Sequence, residues 1–139
     1  MTHSTTAHET PAGKTLAEHR ALHALLGEVE RAAAAADEAL ARRLDSLRER
    51  LVVHFAGEEE SGLFEQIQDL APEQARECAR LCEEHKDLLL RLDGIRSGGA
   101  EGAARAAEVR AFLGALADHE ARENEILTWV LDGSVEAQD

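Results

Sequence analysis

The sequence predicts an all-α protein, an up-down-up-down four-helix bundle, on three observations. Alanine, leucine, glutamate and arginine dominate, with no tyrosine, three phenylalanines and one tryptophan, a composition that favours helix over sheet. Apolar residues recur at spacings of three and four in four successive segments, the period of a helix with one buried face. Each segment is about 20 to 30 residues long and the breaks between them are short, as antiparallel neighbours require. The length of 139 residues suits one domain with a real core.

Residues 1–13, MTHSTTAHETPAG, are polar and aperiodic and end in Pro11 and Gly13; they read as a flexible leader outside the core. The bundle is expected over 14–133, with a flexible tail at 134–139. The first helix starts at Lys14 and runs to about Ala35, with Leu16, His19, His23, Leu26 and Glu30 on one face. Asp37 can cap the second helix, whose inner stripe is Leu40, Leu44, Leu47, Leu51, His54 and Glu58, and Ser61 and Gly62 stop it. A connector, LFEQIQDLA, leads to Pro72, which suits a first helical turn. The third helix turns Cys78, Leu81, Cys82, His85, Leu88, Leu89 and Leu92 inward. After the SGGAEG break, a fourth helix from about Ala103 to Leu131 turns Phe112, Leu116, His119, Glu123, Ile126, Leu127 and Val130 inward, and Gly133 fits its C-terminal end. Phe64 and Trp129 read as packing residues.

Composition excludes several classes of partner. A formal charge of −13 repels a phosphate backbone and an anionic membrane surface, so neither nucleic acid nor membrane is expected. No apolar run approaches the ~18 residues of a bilayer span, and the N-terminus lacks a signal-peptide pattern. The two cysteines, Cys78 and Cys82, make no disulfide scaffold, and a cytoplasmic location is the expectation.

Five of the seven histidines fall on the inward stripes: His19, His23, His54, His85 and His119, at least one from every helix. Glu58 and Glu123 lie on the same stripes, each four residues after a histidine, so each pair can aim a nitrogen and an oxygen at one point. In antiparallel neighbours, the start of the first helix and the end of the second fall at one level, and the longer second connector brings His85 and His119 to it. Buried carboxylates are costly unless paired or metal-bound, and neutral imidazoles supply only one donor each. A multivalent cation removes the conflict. Imidazole with carboxylate suits first-row metals such as iron, and seven ligands exceed one ion's needs. Two ions bridged by the two carboxylates would use them all. Glu59 and Glu60 read as solvated acids, and Glu84 and Glu120, beside inward histidines, as solubilising ones. Cys78 and Cys82 read as small buried hydrophobes.

The ordered set HRALH (19–23), HFAGE (54–58), EHKDLL (84–89) and HEARE (119–123) resembles the hemerythrin family in its HHE cation-binding branch, over about residues 14 to 131. That branch carries His, His-xxx-Glu, His and His-xxx-Glu on successive helices. The resemblance implies a non-heme di-iron centre in a four-helix bundle, with oxo or hydroxo and carboxylate bridges and one open position for O2 or a related small ligand. Oxygen-carrying members put His-xxx-His on the third helix; here Leu81 and Leu89 flank His85, and the paired histidines are His19 and His23. The fourth motif ends in Glu123 at spacing four, where the carriers use an aspartate at spacing five.

Other chemistries lack their residues. Leu16, Arg20, Leu51, Cys82 and Leu116 stand three before the inward histidines, so the Glu-xx-His of ferritin-like di-iron proteins is missing. There is no His-Glu-xx-His, no phosphate loop and no tyrosine for a radical, and Ser4, Ser46, Ser61, Ser97 and Ser134 form no nucleophile elbow. The expectation is a protein that binds or senses O2. The alternatives are a di-iron enzyme that reduces peroxide or nitric oxide, and a metal-free helical interaction module.

Overall fold

The computed structural model describes residues 10–35 and 38–137, with 133–137 by their backbone alone. Its elements are α1 (Pro11–Ala34), α2 (Leu40–Glu60), α3 (Leu63–Leu70), a 3-10 turn at Pro72–Gln74, α4 (Ala75–Ser97) and α5 (Gly102–Ala137). Among the described residues there is no strand, and no helix is long and apolar enough to cross a membrane.

α1 begins at Pro11, earlier than the expected Lys14. The cause is local: the Thr10 hydroxyl accepts a hydrogen bond from the Gly13 amide at 3.0 Å, and Pro11 presets the first helical dihedral. Ala12, Gly13 and Thr15 are consequently buried, so residues 11–13 join the folded part. Residues 1–9 of the expected leader, and the expected cap Asp37, lie outside the described residues. The buried stripe of α1 is His19, Leu22, Leu26 and Val29, and the expected inward Glu30 is exposed.

All six expected inward residues of α2 are buried, and Phe55 joins them. The helix stops at Ser61 and Gly62, where Gly62 takes φ +87°, a left-handed turn that glycine adopts without strain. The LFEQIQDLA connector differs from expectation, because most of it forms α3. Leu63, Phe64 and Ile67 make one apolar face and are buried. Eight residues are too few for periodicity to separate a helix from a loop. In α4 the expected stripe is buried except at half-buried Cys82 and Leu89, and in α5 except at half-buried Ile126. α5 runs past Gly133 to Ala137, into the expected tail. A glycine inside a helix costs about 1 kcal/mol but does not by itself end it. Trp129 is 49% exposed and is not a core residue.

Each long helix packs against two others: α1 against α2 and α5, α4 against α2 and α5. The short α3 packs on α5, α2 and α4. The apolar interior is split. A large cluster is built around Leu22, Leu47, Leu51, Phe55, Leu92 and Phe112, and a smaller one around Ala12, Leu63, Ile67, Cys78, Leu127 and Val130. On α1, α4 and α5 the buried histidine falls between residues of the two clusters, as with Ala12, His19 and Leu22 on α1 or Leu116, His119 and Leu127 on α5, and on α2 His54 lies beyond Leu51 of the larger cluster on the way to Leu63 of the smaller.

If the Thr10 cap starts α1, Thr10→Ala should lower stability by about 1 kcal/mol in urea unfolding. No change would mean that the helix starts further along the chain.

Candidate metal centre

The helical period sets which side chains reach the layer between the clusters. His54 and Glu58 on α2, and His119 and Glu123 on α5, are each four apart and stack one above the other. His19 and His85 enter from α1 and α4. All six side chains are buried. His54 Nε2 lies 3.2 Å from Glu58 Oε1, and His119 Nε2 lies 2.8 Å from Glu123 Oε2. His19 Nε2 lies 3.0 Å from Glu123 Oε1 and 3.8 Å from Glu58 Oε2. His85 Nε2 is 3.4 Å from both Glu58 Oε1 and Glu123 Oε2. Each carboxylate therefore faces three imidazoles.

Four of these five expected histidines converge; the exception is His23, which is exposed. One residue advances a helix by ~100°, so His23 sits about 40° to one side of His19. The buried side of α1 turns the other way, through Leu22 and Leu26, and leaves His23 on the edge.

The opposite ring nitrogen of each inner histidine is also held. His54 Nδ1–H donates to Glu18 at 2.8 Å, His119 Nδ1–H to Glu84 at 2.8 Å and His19 Nδ1–H to the Asn124 carbonyl at 2.6 Å. The bond from His85 Nδ1–H to Glu59 is longer, at 3.5 Å. For His19, His54 and His119 these acceptors favour the proton on Nδ1 and leave the Nε2 lone pair facing inward, while His85 Nε2 also lies within hydrogen-bonding distance of Glu123, at 3.4 Å. The outer acceptors were missed in the sequence, where Glu59 and Glu84 read as solvated acids. A signal exists: Glu18, Glu59, Glu84 and Asn124 each adjoin a cluster residue in the chain. Glu84 is itself gripped by Arg122 at 2.9 Å, and that guanidinium holds its carboxyl below the usual range.

Lone pair then meets lone pair. His19 Nε2, His119 Nε2, both Glu58 oxygens and Glu123 Oε1 are buried with no hydrogen-bond partner. Such orphans are each costly and few in a native fold. Donor atoms fall into two groups, His19, His54, Glu58 and Glu123, and His85, His119 and Glu123, with all atoms of a group within 4.8 Å of one another. That is a set able to hold a metal ion. Neither cysteine belongs to it: Cys78 is buried in the smaller apolar cluster, and burial pushes the Cys82 thiol up to about 11.

Without a cation, protons must serve. Burial, reinforced by the facing Glu123 charge, pushes the Glu58 carboxyl well above the carboxylate range. Burial would do the same to Glu123, but Glu58 and three surrounding histidines hold it well below that range. Two like charges this close and this buried disfavour each other, so the pair favours holding one proton between its two carboxyls. Burial pulls His19 and His119 down, but the Glu123 carboxylate beside each outweighs it and raises both. Burial lowers His54. Glu120, expected at the surface, is 8% exposed, and burial raises its carboxyl.

The chain matches the family described as the hemerythrin HHE cation binding domain over residues 10–129. No curated protein and no solved structure matches it significantly.

Groups raised above their unfolded values stabilise the fold at low pH and lose that contribution as pH rises through the folded value. In the metal-free chain His19, His119 and Glu58 act this way, and only His54 opposes them near neutrality. The metal-free protein should lose thermal stability from about pH 6 to pH 8. The metal-loaded protein should gain over the same interval, because its ligands must be deprotonated. Melting curves followed by circular dichroism check both trends, and a metal-free Tm that climbs with pH would contradict the assigned protonation.

Proposed function

The chain belongs to the hemerythrin HHE cation-binding domain family, and on that premise we propose that it is a di-iron protein that binds or senses O2. We further infer that its long helices form an up-down-up-down bundle. Support comes from the order in which each helix meets the two apolar clusters. α1 passes from Ala12 in the smaller to Leu22 in the larger, and α2 from Leu44 in the larger towards Leu63 in the smaller. α4 then passes from Cys78 to Leu88, and α5 returns from Phe112 to Leu127.

The observation that carries the metal reading is the set of buried, unpartnered oxygens and nitrogens that face one another. Two ions fit the donor set better than one. His19 and His54 would hold the first, His85 and His119 the second, with Glu58 and Glu123 spanning both. A nitrogen and oxygen set without thiolate suits iron. Bound there, iron supplies a redox-active centre with coordination positions that six protein donors leave open to a small ligand.

The chain's own residues do the rest. Leucines on both sides of the layer keep water scarce and admit an apolar gas. Phe55 lies flat on His85, with ring centroids 4.0 Å apart, and keeps that imidazole from turning. The four outer acceptors fix the other ring faces. Metal binding would displace the proton that the carboxylate pair holds. Free thiols at Cys78 and Cys82 support a reducing, cytoplasmic setting.

Protein expressed with iron should carry about two irons per chain, with a visible band that appears under O2 and fades on degassing. Vigorous peroxide turnover without that band would favour the enzymatic alternative. Full helicity with no bound metal, indifferent to chelators, would remove the metal reading. His54→Ala and Glu123→Ala should each lower iron content, whereas Glu60→Ala and His23→Ala should not. Glu84→Gln should keep the stoichiometry but weaken metal affinity about 10- to 100-fold in a chelator competition, since it weakens the acceptor behind His119.

A further inference from the structure

The seam between α1 and α5 carries a polar group that the cluster does not use. Glu120 is 8% exposed, and its Oε1 has no hydrogen-bond partner. It lines two neighbouring surface cavities of about 320 and 360 Å3, and the exposed His23 lines both as well. His19, a member of the inner cluster, lines the first of them. A solvent-facing imidazole, a buried carboxylate with an unsatisfied oxygen and an inner histidine therefore share one opening.

We propose that His23 and Glu120 form an outer cation site, where a divalent first-row metal ion binds before it passes His19 into the cluster. This rests on the reading of the cluster as a metal centre. One imidazole nitrogen and one carboxylate oxygen suit such an ion. With only two protein donors and water for the rest, the ion is held weakly and can move on. The site explains two features that the inner cluster leaves idle. His23 is set for a ligand's chemistry but stands outside the cluster, and Glu120 is buried with one oxygen left without a hydrogen-bond partner. Arg20 also lines the first cavity and opposes a cation there, but its side chain is exposed and can turn to solvent. Glu30 on the second cavity adds negative charge at the approach.

Stopped-flow mixing of metal-free protein with Co2+ tests this, since the visible cobalt absorption reports filling of the inner cluster. His23→Ala and Glu120→Gln should each slow filling at least roughly tenfold, the scale on which a local field raises ion capture. The final cobalt content should equal that of the unaltered chain. Glu60→Gln, an exposed acid elsewhere with the same charge change, should fill at the unaltered rate. Unaltered rates in either seam variant overturn the outer site, as does equal slowing in Glu60→Gln. A reduced final content in Glu120→Gln also overturns it, because Glu120 would then be a ligand of the cluster itself. An unaltered chain that takes up no cobalt defeats the metal-centre reading as well, so the two failures are distinguishable. His23 is exposed and can be changed without disturbing the core, so the test does not depend on how Glu120→Gln folds.

Discussion

Acceptor faces acceptor in the middle of this protein, and the rest of the structure is arranged around that conflict. Two carboxylates and four imidazole nitrogens point at one another in a buried layer. Each orphaned polar atom costs about 1–3 kcal/mol, more where the group is charged. No rearrangement of hydrogen bonds within the layer can remove the cost, because the Nδ1 protons are already committed outward. Only cations answer the geometry: a proton held by the carboxylate pair in the empty chain, or metal ions in the filled one. The two apolar clusters must then hold the layer together against its own preference for solvent. Large residues such as Leu47, Leu51, Phe112 and Leu116 are fully or almost fully buried on one side, and Leu63, Ile67 and Leu127 on the other.

The outer acceptors explain why the layer keeps its shape. Glu18 on α1 holds His54 of α2, Glu59 on α2 faces His85 of α4, Glu84 on α4 holds His119 of α5, and Asn124 on α5 holds His19 of α1. The cycle passes once through every long helix and closes on itself. Rotating one helix about its axis would spoil two links at once, the one it gives and the one it receives. Helix rotation is therefore constrained by side chains that stand beside the inner residues in sequence. Ring orientation and tautomer are set before any metal arrives, which is how a site avoids reorganisation on binding.

Much of this was legible in the sequence, for reasons that also mark its limit. The α2 stripe was readable throughout because leucine repeats at helical spacing and His54 and Glu58 continue the same line. His85 and His119 were readable in the same way. His23 was misread because spacings of three and four both suit a helix, and only the packing of Leu22 and Leu26 decides which edge of His19 turns inward. Among the outer acceptors, Glu59 and Glu84 read as solvated acids because a residue next to an inward one points away from its own stripe, and Glu18 and Asn124 carry no signal of their own for the same reason. What such a residue meets there is a neighbouring helix, and one helix's periodicity cannot report that. α3 escaped because a single apolar turn has no repeat, and the exposure of Trp129 because residue type alone favoured burial.

The two halves of the layer are not equivalent, and the difference bears on how anything reaches it. On one half, Phe55 covers His85, and the Arg122–Glu84 pair backs His119 from the surface. On the other, surface cavities reach in to His54, beside Glu18 and Arg50, and to His19, beside His23 and Glu120. Packing makes the first half rigid, while the second has room for exchange. The centre proposed above, with two ions and a position for a small ligand, would need both properties. Dividing them between the halves lets one stay fixed while the other opens, without unpacking the leucine clusters that hold the layer in place.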